Sequence, residues 1–215
     1  ENFLSYLPER KQERIEKQKE RKAENGKQLE FSYFMAIHDI IPCGEDFLFL
    51  GEAYYPTYRL ESSTSTVNGK TTTTVKKVFD GYQYTHAHIA KFNKAGELLW
   101  SQCFEMYPKS QPFYVKRFIS ISGQTENSIK LVFADGNYIY GKEFDFNGVL
   151  ISDKTSSKIN GSMENDKEQY GGSSEVLYWY DNYFLSYGIQ RIKNTKDNDA
   201  QRKRNVLFVN KIKFE

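Results

Sequence analysis

The fold of this chain is decided by Phe92-Asn93-Lys94-Ala95-Gly96-Glu97-Leu98-Leu99-Trp100-Ser101, a stretch that returns as Phe144-Asp145-Phe146-Asn147-Gly148-Val149-Leu150-Ile151-Ser152. The Phe, Gly and Leu positions keep the same spacing in both copies. Each copy predicts a strand, a tight turn and a second strand. A repeat period of about fifty residues is typical of architectures that stack small structural units.

The chain on both sides of this stretch, from Leu29 onward, consists of short apolar runs broken by Gly, Asn and Asp. Most runs are apolar on both faces, as in strands that neighbouring sheets cover on each side. They predict three units of antiparallel strands, at residues 29–106, 107–155 and 175–215. In the first two units a fourth strand follows the repeated turn. The third unit stops at Phe214, where its fourth strand should begin, and Phe3–Leu7 is the candidate to supply that strand.

The predicted fold class is therefore all-β, with about three propeller-like blades of four antiparallel strands each. Closed rings usually have about four to eight blades. The three units therefore either belong to a larger ring or stack in another way. A twisted stack of antiparallel sheets, or a β-sandwich with an attached helix, is the alternative architecture.

The residues around the first copy also carry a family resemblance. Ala90 to Ser101 resembles the blade motif of bacterial β-propeller repeats, including the SBBP repeats and the PQQ-like repeats in which a tryptophan docks between blades. The second copy, at 144–152, resembles this motif less closely because it lacks the tryptophan. The resemblance implies a ring of antiparallel sheets. It implies neither a particular activity nor a quinone cofactor, because none of the cofactor residues of those families can be matched here.

Residues 1–28 form a separate N-terminal region. Pro8 to Asn25 consists mainly of strong helix formers, and Gly26 suits the position just past a helix end. Only Ile15 and Ala23 are apolar, so this helix lacks a stripe that would dock on a core. We predict a solvated charged helix or linker, and the alternative is a basic arm that touches a partner or an anionic surface.

Composition excludes several classes of protein. The net charge is +2, from 30 basic and 28 acidic residues, and no basic face of the strength that nucleic-acid binding requires is visible. No run of about eighteen apolar residues exists, so no transmembrane segment is predicted. Two cysteines, Cys43 and Cys103, do not make a disulfide framework and are expected to be free thiols. The start at Glu1 suggests a trimmed or processed chain.

One hairpin stands out in the first unit. Asn68-Gly69 is the preferred pair for a type I′ turn, and two long runs flank it. Counting outward, Thr66 faces Thr71, Glu61 faces Lys76 and Tyr58 faces Phe79. The tip is rich in Ser and Thr and has little apolar surface. We predict a ribbon that projects into solvent, either as a surface feature or as a partner-binding arm.

The three histidines are the candidate metal ligands. His86 and His88 are two residues apart, which puts them on one face of a strand, and His38 or Asp39 is the candidate third ligand. Imidazoles placed in this way chelate zinc or copper. The alternative is that they are ordinary polar residues of strands. No other cofactor is predicted.

Two groups of aromatic residues near loop ends are the candidate ligand-binding residues. They are Tyr54, Tyr55 and Tyr58 in the first unit, and Tyr178, Trp179 and Tyr180, with Tyr183 close by, in the third. Rings grouped in this way stack on sugars or peptides. Alternate members of each group must point inward, so packing between blades is the competing interpretation.

No Gly-x-Ser-x-Gly elbow, His-Glu-x-x-His motif, phosphate loop or EF-hand is present. We therefore predict a non-catalytic binding or scaffold module for a protein or a carbohydrate, exported by a bacterium to the periplasm or cell surface. One alternative is part of a propeller-class enzyme, a hydrolase or lyase, whose active site lies on blades absent from this chain. Another is a structural domain that supports an attached catalytic domain.

Overall fold

The computed structural model of the chain describes residues 9–27, 34–111, 114–122, 128–159, 165–194, 196 and 203–213. Helix α1 spans Glu9–Glu24. The strands are β1 Phe34–Ile37, β2 Ile41–Cys43, β3 Asp46–Val67, β4 Lys70–Phe92, β5 Leu98–Glu105, β6 Lys109–Ser110, β7 Ser120–Ile121, β8 Ser128–Asp135, β9 Tyr138–Asp145, β10 Leu150–Lys158, β11 Asp166–Tyr180, β12 Tyr183–Asn194 and β13 Lys203–Lys213. The predicted donor segment Phe3–Leu7 and the position Phe214 lie outside the described residues.

Helix α1 agrees with the predicted charged helix. Its chain leaves the helix at Gly26, which has a φ of +67°, and the N–H of Gly26 donates to the carbonyl of Ala23 at 2.9 Å. None of the described side chains of α1 is buried. The helix is therefore solvated, as its lack of an apolar stripe predicts. No helix in the described part of the chain is long and apolar enough to cross a membrane.

The described strands form three antiparallel sheets in chain order. The first sheet has the order β1-β3-β4-β5, with β2 paired to β3 and β6 paired to β4. The second sheet has the order β10-β9-β8-β7, and the third has the order β11-β12-β13. The all-β class is confirmed. The third sheet begins at Asp166, ahead of the predicted start at residue 175, because the backbone of this polar stretch continues the ladder opposite Asn194.

The repeated turn has the same geometry in both copies. The side-chain oxygen of Asn93 or Asp145 accepts two backbone N–H bonds of 2.7–3.0 Å. Gly96 and Gly148 have φ values of +82° and +79°, where glycine is favoured because it lacks Cβ. Each glycine N–H donates at 3.0 Å to the carbonyl of the turn's Asn or Asp. The predicted strand, turn and strand are confirmed at both positions.

The first sheet docks on the second at the repeated turn. Trp100 Nε1 donates to the carbonyl of Phe146 at 2.9 Å, and Gln102 Nε2 donates to the carbonyl of Gly148 at 2.9 Å. A Cβ on Gly148 would lie 2.6 Å from the Trp100 ring. The second turn therefore needs glycine for two reasons, its positive φ and the close approach of this ring.

The three sheets pack together through two hydrophobic cores, one between each pair of consecutive sheets. The core between the first and second sheets includes Leu50, Ile89 and Phe104 from the first and Leu131 and Phe133 from the second. The core between the second and third sheets includes Val132, Ala134, Ile139, Val176 and Phe184. Strand β8 contributes alternate residues to both cores, so it is buried on both faces, as its continuous apolar run predicts.

The predicted ribbon is formed by the distal halves of β3 and β4. Thr66 pairs with Thr71, Glu61 with Lys76, and Tyr58 with Phe79. Asn68 and Gly69 have φ values of +52° and +76°, as a type I′ turn requires. The tip of the ribbon is exposed on both faces. The predicted register and the projection into solvent are both confirmed.

Candidate functional site

The first predicted aromatic group is divided between the core and the surface. Tyr54 stacks on Phe34 with ring centroids 5.8 Å apart and lies 5.5 Å from Tyr84, so it belongs to the core. Tyr55 and Tyr58 are half-exposed. A register shift between Thr57 and Tyr58 marks the base of the ribbon. Tyr54 and Tyr58 are linked through Phe79 and Tyr82 by ring contacts of 5.0–6.1 Å, whereas Tyr55, next to Tyr54 in the strand, points to the opposite face. The group is therefore split between two faces, and its binding of a ligand stays a prediction.

The second predicted aromatic group is also divided. Tyr178 packs edge-on against Phe184, with centroids 5.6 Å apart, on the face that meets the second sheet. Trp179 and Tyr180 are exposed and lie on the opposite side. A bulge between Tyr178 and Tyr180 brings Tyr180 opposite Tyr183. Trp179, Tyr180 and the partly exposed Tyr183 of the predicted group therefore lie together at the surface, whereas Tyr178 packs inward.

These rings surround a lysine from the neighbouring strand. Lys211 Nζ lies 3.7 Å from the ring centroid of Tyr183, 4.9 Å from that of Tyr180 and 5.5 Å from that of Trp179. The same ammonium donates to the Tyr180 hydroxyl at 2.5 Å, and this hydrogen bond raises the pKa of Lys211. We call these four residues the aromatic–lysine cluster. The sequence did not point to it, because Lys211 lies 28 or more residues beyond the rings.

The cluster lies at one end of an exposed apolar surface, which we call the outer face of the third sheet. Its rows are fixed by the register: Leu177 opposite Leu185, Glu175 opposite Tyr187, and Ser173 opposite Ile189 on β11 and β12. On β12 and β13, Leu185 lies opposite Lys211, Tyr187 opposite Val209 and Ile189 opposite Leu207. Side chains directly opposite in an antiparallel pair lie on the same face. The outer face is therefore continuous across all three strands.

The exposure of this face contrasts with the burial of the other. Leu177 is 51%, Ile189 46%, Val209 60% and Leu207 77% exposed. The alternate residues of the same strands, such as Val176, Phe184 and Ile192, are buried. A contiguous exposed apolar patch of this kind marks an interaction site in soluble proteins.

The charges on the outer face are mainly positive. Arg191, Lys193 and Lys203 lie at the end distant from the aromatic–lysine cluster, and Lys213 lies opposite Tyr183. Asp181, in the turn between β11 and β12, is an exposed acidic residue beside the aromatic–lysine cluster, and its charge also contributes to raising the pKa of Lys211. Among the described strand residues of the face, Glu175 is the acidic one. Its carboxylate accepts bonds from Lys116 Nζ at 2.6 Å and from the Tyr187 hydroxyl at 2.7 Å, and these bonds lower its pKa.

The predicted metal site is not assembled. His86 and His88 lie on the face of the first sheet that points away from the second sheet, opposite Ala53 and Gly51 on β3. His38 lies on the other side of the sheet, where its Nε2 is 2.7 Å from Glu52 Oε1. No group of three or more His, Cys, Asp or Glu side chains in the described residues could hold a metal ion. The three-histidine prediction is wrong because the sheet separates His38 from the other two.

Of the two remaining histidines, His86 is fully buried and His88 is partly buried, and both favour the neutral state. Burial, together with the nearby His88, lowers the pKa of His86 to about 4. Burial also lowers the pKa of His88, whose Nδ1 lies 3.4 Å from Cys103 Sγ. Both cysteines are free, as predicted, and both are buried; burial raises the pKa of Cys43. Burial therefore favours the uncharged forms of the Cys43 thiol and of the His86 and His88 imidazoles.

A buried carboxylate that the sequence analysis missed joins the first two sheets. Glu52 is fully buried, and its two oxygens accept the backbone N–H of Phe118, both at 2.9 Å. Its Oε1 also accepts the N–H of Ile119 at 2.9 Å. With His38, this makes Glu52 the anchor of the segment that leads into the second sheet. The available signal was a lone carboxylate within the apolar run Phe47–Ala53.

A cleft of about 230 Å³ lies beside this segment, where it meets β11. Lys116 and Arg117 line it, but Lys116 is paired with Glu175 at 2.6 Å and Arg117 lies 3.6 Å from Asp39. The charges of this cleft are therefore balanced within the chain. Because these charges are already paired, the cleft is a weaker candidate for a binding site than the outer face.

A scan of the sequence against protein-family models gives no match, and searches of curated proteins and of solved structures give none either. The function of the chain is therefore argued from its own geometry.

Proposed function

We propose that this chain is a non-catalytic binding or scaffold module that binds a protein through the outer face of its third sheet. The observation that carries the proposal is the exposure of Leu177, Ile189, Leu207 and Val209 on one continuous face. Burying an apolar side chain of this size stabilises a complex by about 1.5–3 kcal/mol before the costs of association. Four such side chains are enough for the core of a specific interface.

The chemistry of the face favours a protein over a carbohydrate. Aromatic rings serve both kinds of ligand, and Trp179 with Tyr180 would suit either. The centre of the face is aliphatic, however, with Leu and Val side chains that offer a sugar no hydrogen bonds. An apolar centre with a polar rim is the anatomy of a protein–protein interface.

We also propose that the three sheets are consecutive blades of a propeller-like arrangement. Three features support this: the sheets follow one another in chain order, the repeated turn recurs with the same hydrogen bonds, and Trp100 docks on the next turn at Gly148. In such an arrangement each inner blade is covered on both faces. The outer face of the third sheet would then be suited, like the faces of the inner blade, to being covered by another protein surface.

Site-specific photocrosslinking in the native host tests the binding proposal. We would place benzoylphenylalanine at Leu207, and at Val149 as a control that is also exposed but lies on the repeated turn of the second sheet. The expected result is a heterologous protein crosslinked at position 207 and not at 149. The crosslinked protein, once identified and purified, should bind the full chain directly and lose binding to the Leu207→Asp variant.

Two outcomes would overturn the proposal. The first is equal crosslinking at positions 207 and 149, which would indicate random encounter. The second is a crosslinked product that consists of two copies of this chain, which would make the outer face a self-association surface. The periplasmic or cell-surface location and the enzyme alternative stay predictions, since none of the described contacts bears on them.

A further inference from the structure

The aromatic–lysine cluster holds a positive charge in a fixed position on the outer face. Three rings surround Lys211 Nζ, and the Tyr180 hydroxyl accepts its hydrogen bond at 2.5 Å. A lysine side chain normally loses about 2 kcal/mol of conformational freedom when it is fixed in a complex. Here much of that ordering has taken place before any partner arrives, so a bond from Lys211 to a partner would cost less.

The position of this ammonium also sets it apart from an ordinary surface lysine. Lys211 is opposite Leu185, whose other neighbour across the sheet is Leu177, so the charge borders the apolar centre. A partner that covers Leu177 and Val209 would exclude water from the neighbourhood of Lys211. A charge that loses water in an interface requires an opposite charge, because an unpaired buried charge is strongly unfavourable.

We infer that the protein bound by the outer face presents an acidic residue to Lys211, next to apolar residues that cover Leu177, Leu207 and Val209. The inference rests on the proposed function and names the chemistry of its partner. The positive border formed by Arg191, Lys193 and Lys203 at the other end favours further acidic residues there. Aromatic and basic residues at the edge of an apolar centre are the composition that interface hot spots favour.

The same charges argue against a second copy of this chain as the occupant. In a twofold dimer each copy would present Lys211, Lys213, Lys203 and Arg191 to a face of the same sign. Of the two described acidic residues at this face, Glu175 already binds Lys116 and Tyr187, and Asp181 lies near its own chain's Lys211, whose pKa it raises. Like charges brought together in an interface suppress association.

Selection from a random dodecapeptide library displayed on phage tests this inference without knowledge of the partner. The full chain is the target, and the Leu207→Asp variant is used for counter-selection, so that retained peptides require the outer face. Leu207 is 77% exposed, so its replacement leaves the cores intact. Val209→Asp, at 60% exposure, provides a second counter-target should the first fail to fold.

The expected peptides carry Asp or Glu beside aliphatic or aromatic residues. A synthetic copy of the leading peptide should bind the full chain about tenfold more tightly than it binds Lys211→Met, which keeps the apolar stem and removes the charge. Lys94→Met is the matched control, because Lys94 is exposed on the turn of the first sheet and pairs only loosely with Glu45, at 3.5 Å. It should leave the affinity unchanged. Tyr180→Phe, which keeps the ring and frees the ammonium, should weaken binding by about threefold.

The outcomes separate this inference from the proposed function. Peptides that require Leu207 but lack acidic residues, or that bind Lys211→Met as tightly as the unmodified chain, overturn the inference and leave the proposed function standing. A library that yields no peptide dependent on Leu207 or Val209 overturns both. Circular dichroism and thermal unfolding of each variant show whether its fold is intact.

Discussion

Replacing Glu52 by alanine is predicted to destabilise the protein more than any surface substitution. The carboxylate is fully buried and accepts bonds from the backbone N–H groups of Phe118 and Ile119 and from the ring of His38. Alanine would remove the acceptor of all three donors. The effect should reach the junction of the first two sheets, since the anchored segment leads into β7.

The magnitude follows from the number of orphaned donors. Each buried donor without a partner costs about 1–3 kcal/mol. Local relaxation will recover part of this, so we expect Glu52→Ala to lower the free energy of unfolding by about 3–5 kcal/mol, as for other broken buried pairs. Glu52→Gln keeps Oε1 as an acceptor but turns an amide donor toward the N–H of Phe118, which Oε2 accepts at 2.9 Å. Its expected cost is about 1–2 kcal/mol.

Urea unfolding followed by circular dichroism measures these differences. Glu45→Ala is the matched control, because Glu45 lies in the turn just before β3, its side chain is 88% exposed, and it pairs with Lys94 only at 3.5 Å. It should change stability by less than about 0.5 kcal/mol. The reasoning would be refuted if Glu52→Ala were as stable as Glu45→Ala, or if Glu52→Gln were the worse of the two Glu52 variants.

Two further predictions concern a glycine and a histidine. Gly96→Ala and Gly148→Ala each place an alanine in the left-handed region, which costs about 1–2 kcal/mol of stability. In Gly148→Ala the new Cβ would also lie 2.6 Å from the Trp100 ring, so thermal unfolding should show this variant to be the less stable. Equal losses of stability in the two variants would contradict the docking of Trp100 on Gly148. Burial lowers the pKa of His86 from 6.5 to about 4, so below pH 6.5 the unfolded chain binds a proton that the native state does not. Urea unfolding at a series of pH values should therefore show that the free energy of unfolding falls by about 3 kcal/mol between pH 6.5 and 4. Most of this pH dependence should be absent from His86→Gln. An unchanged pH dependence in that variant would assign the loss of stability to other groups.

The features that the sequence predicts correctly are local ones. The turn at Gly96 and its copy at Gly148 depend on residues four apart at most, and the ribbon register depends on counting outward from Asn68-Gly69. Each is fixed by the backbone preferences of a few consecutive residues. Such features need no knowledge of which sheets meet.

The errors concern contacts between distant residues. His38 was expected beside His86 and His88, yet it bonds Glu52 on the opposite face of the same sheet. The face of the sheet on which His38 lies depends on how β1 pairs with β3, and no local sequence pattern predicts that pairing. In the same way, the strand period shows that Tyr54 and Tyr178 must point away from their neighbours, but not which direction leads to the core.

The strongest argument that the outer face has a partner comes from comparing β8 with β13. In β8 the run Ile129 to Ala134 is almost continuously apolar, and both faces are buried between neighbouring sheets. Strand β13 contains the apolar run Val206 to Val209, yet Leu207 and Val209 face solvent. A strand whose outer side meets only water alternates apolar and polar residues, because nothing on that side stabilises the apolar ones. The outer positions of β13 are otherwise polar, at Lys203, Asn205, Lys211 and Lys213, so Leu207 and Val209 stand out as exposed apolar residues. The selection at Leu207 and Lys211 tests whether a partner covers them.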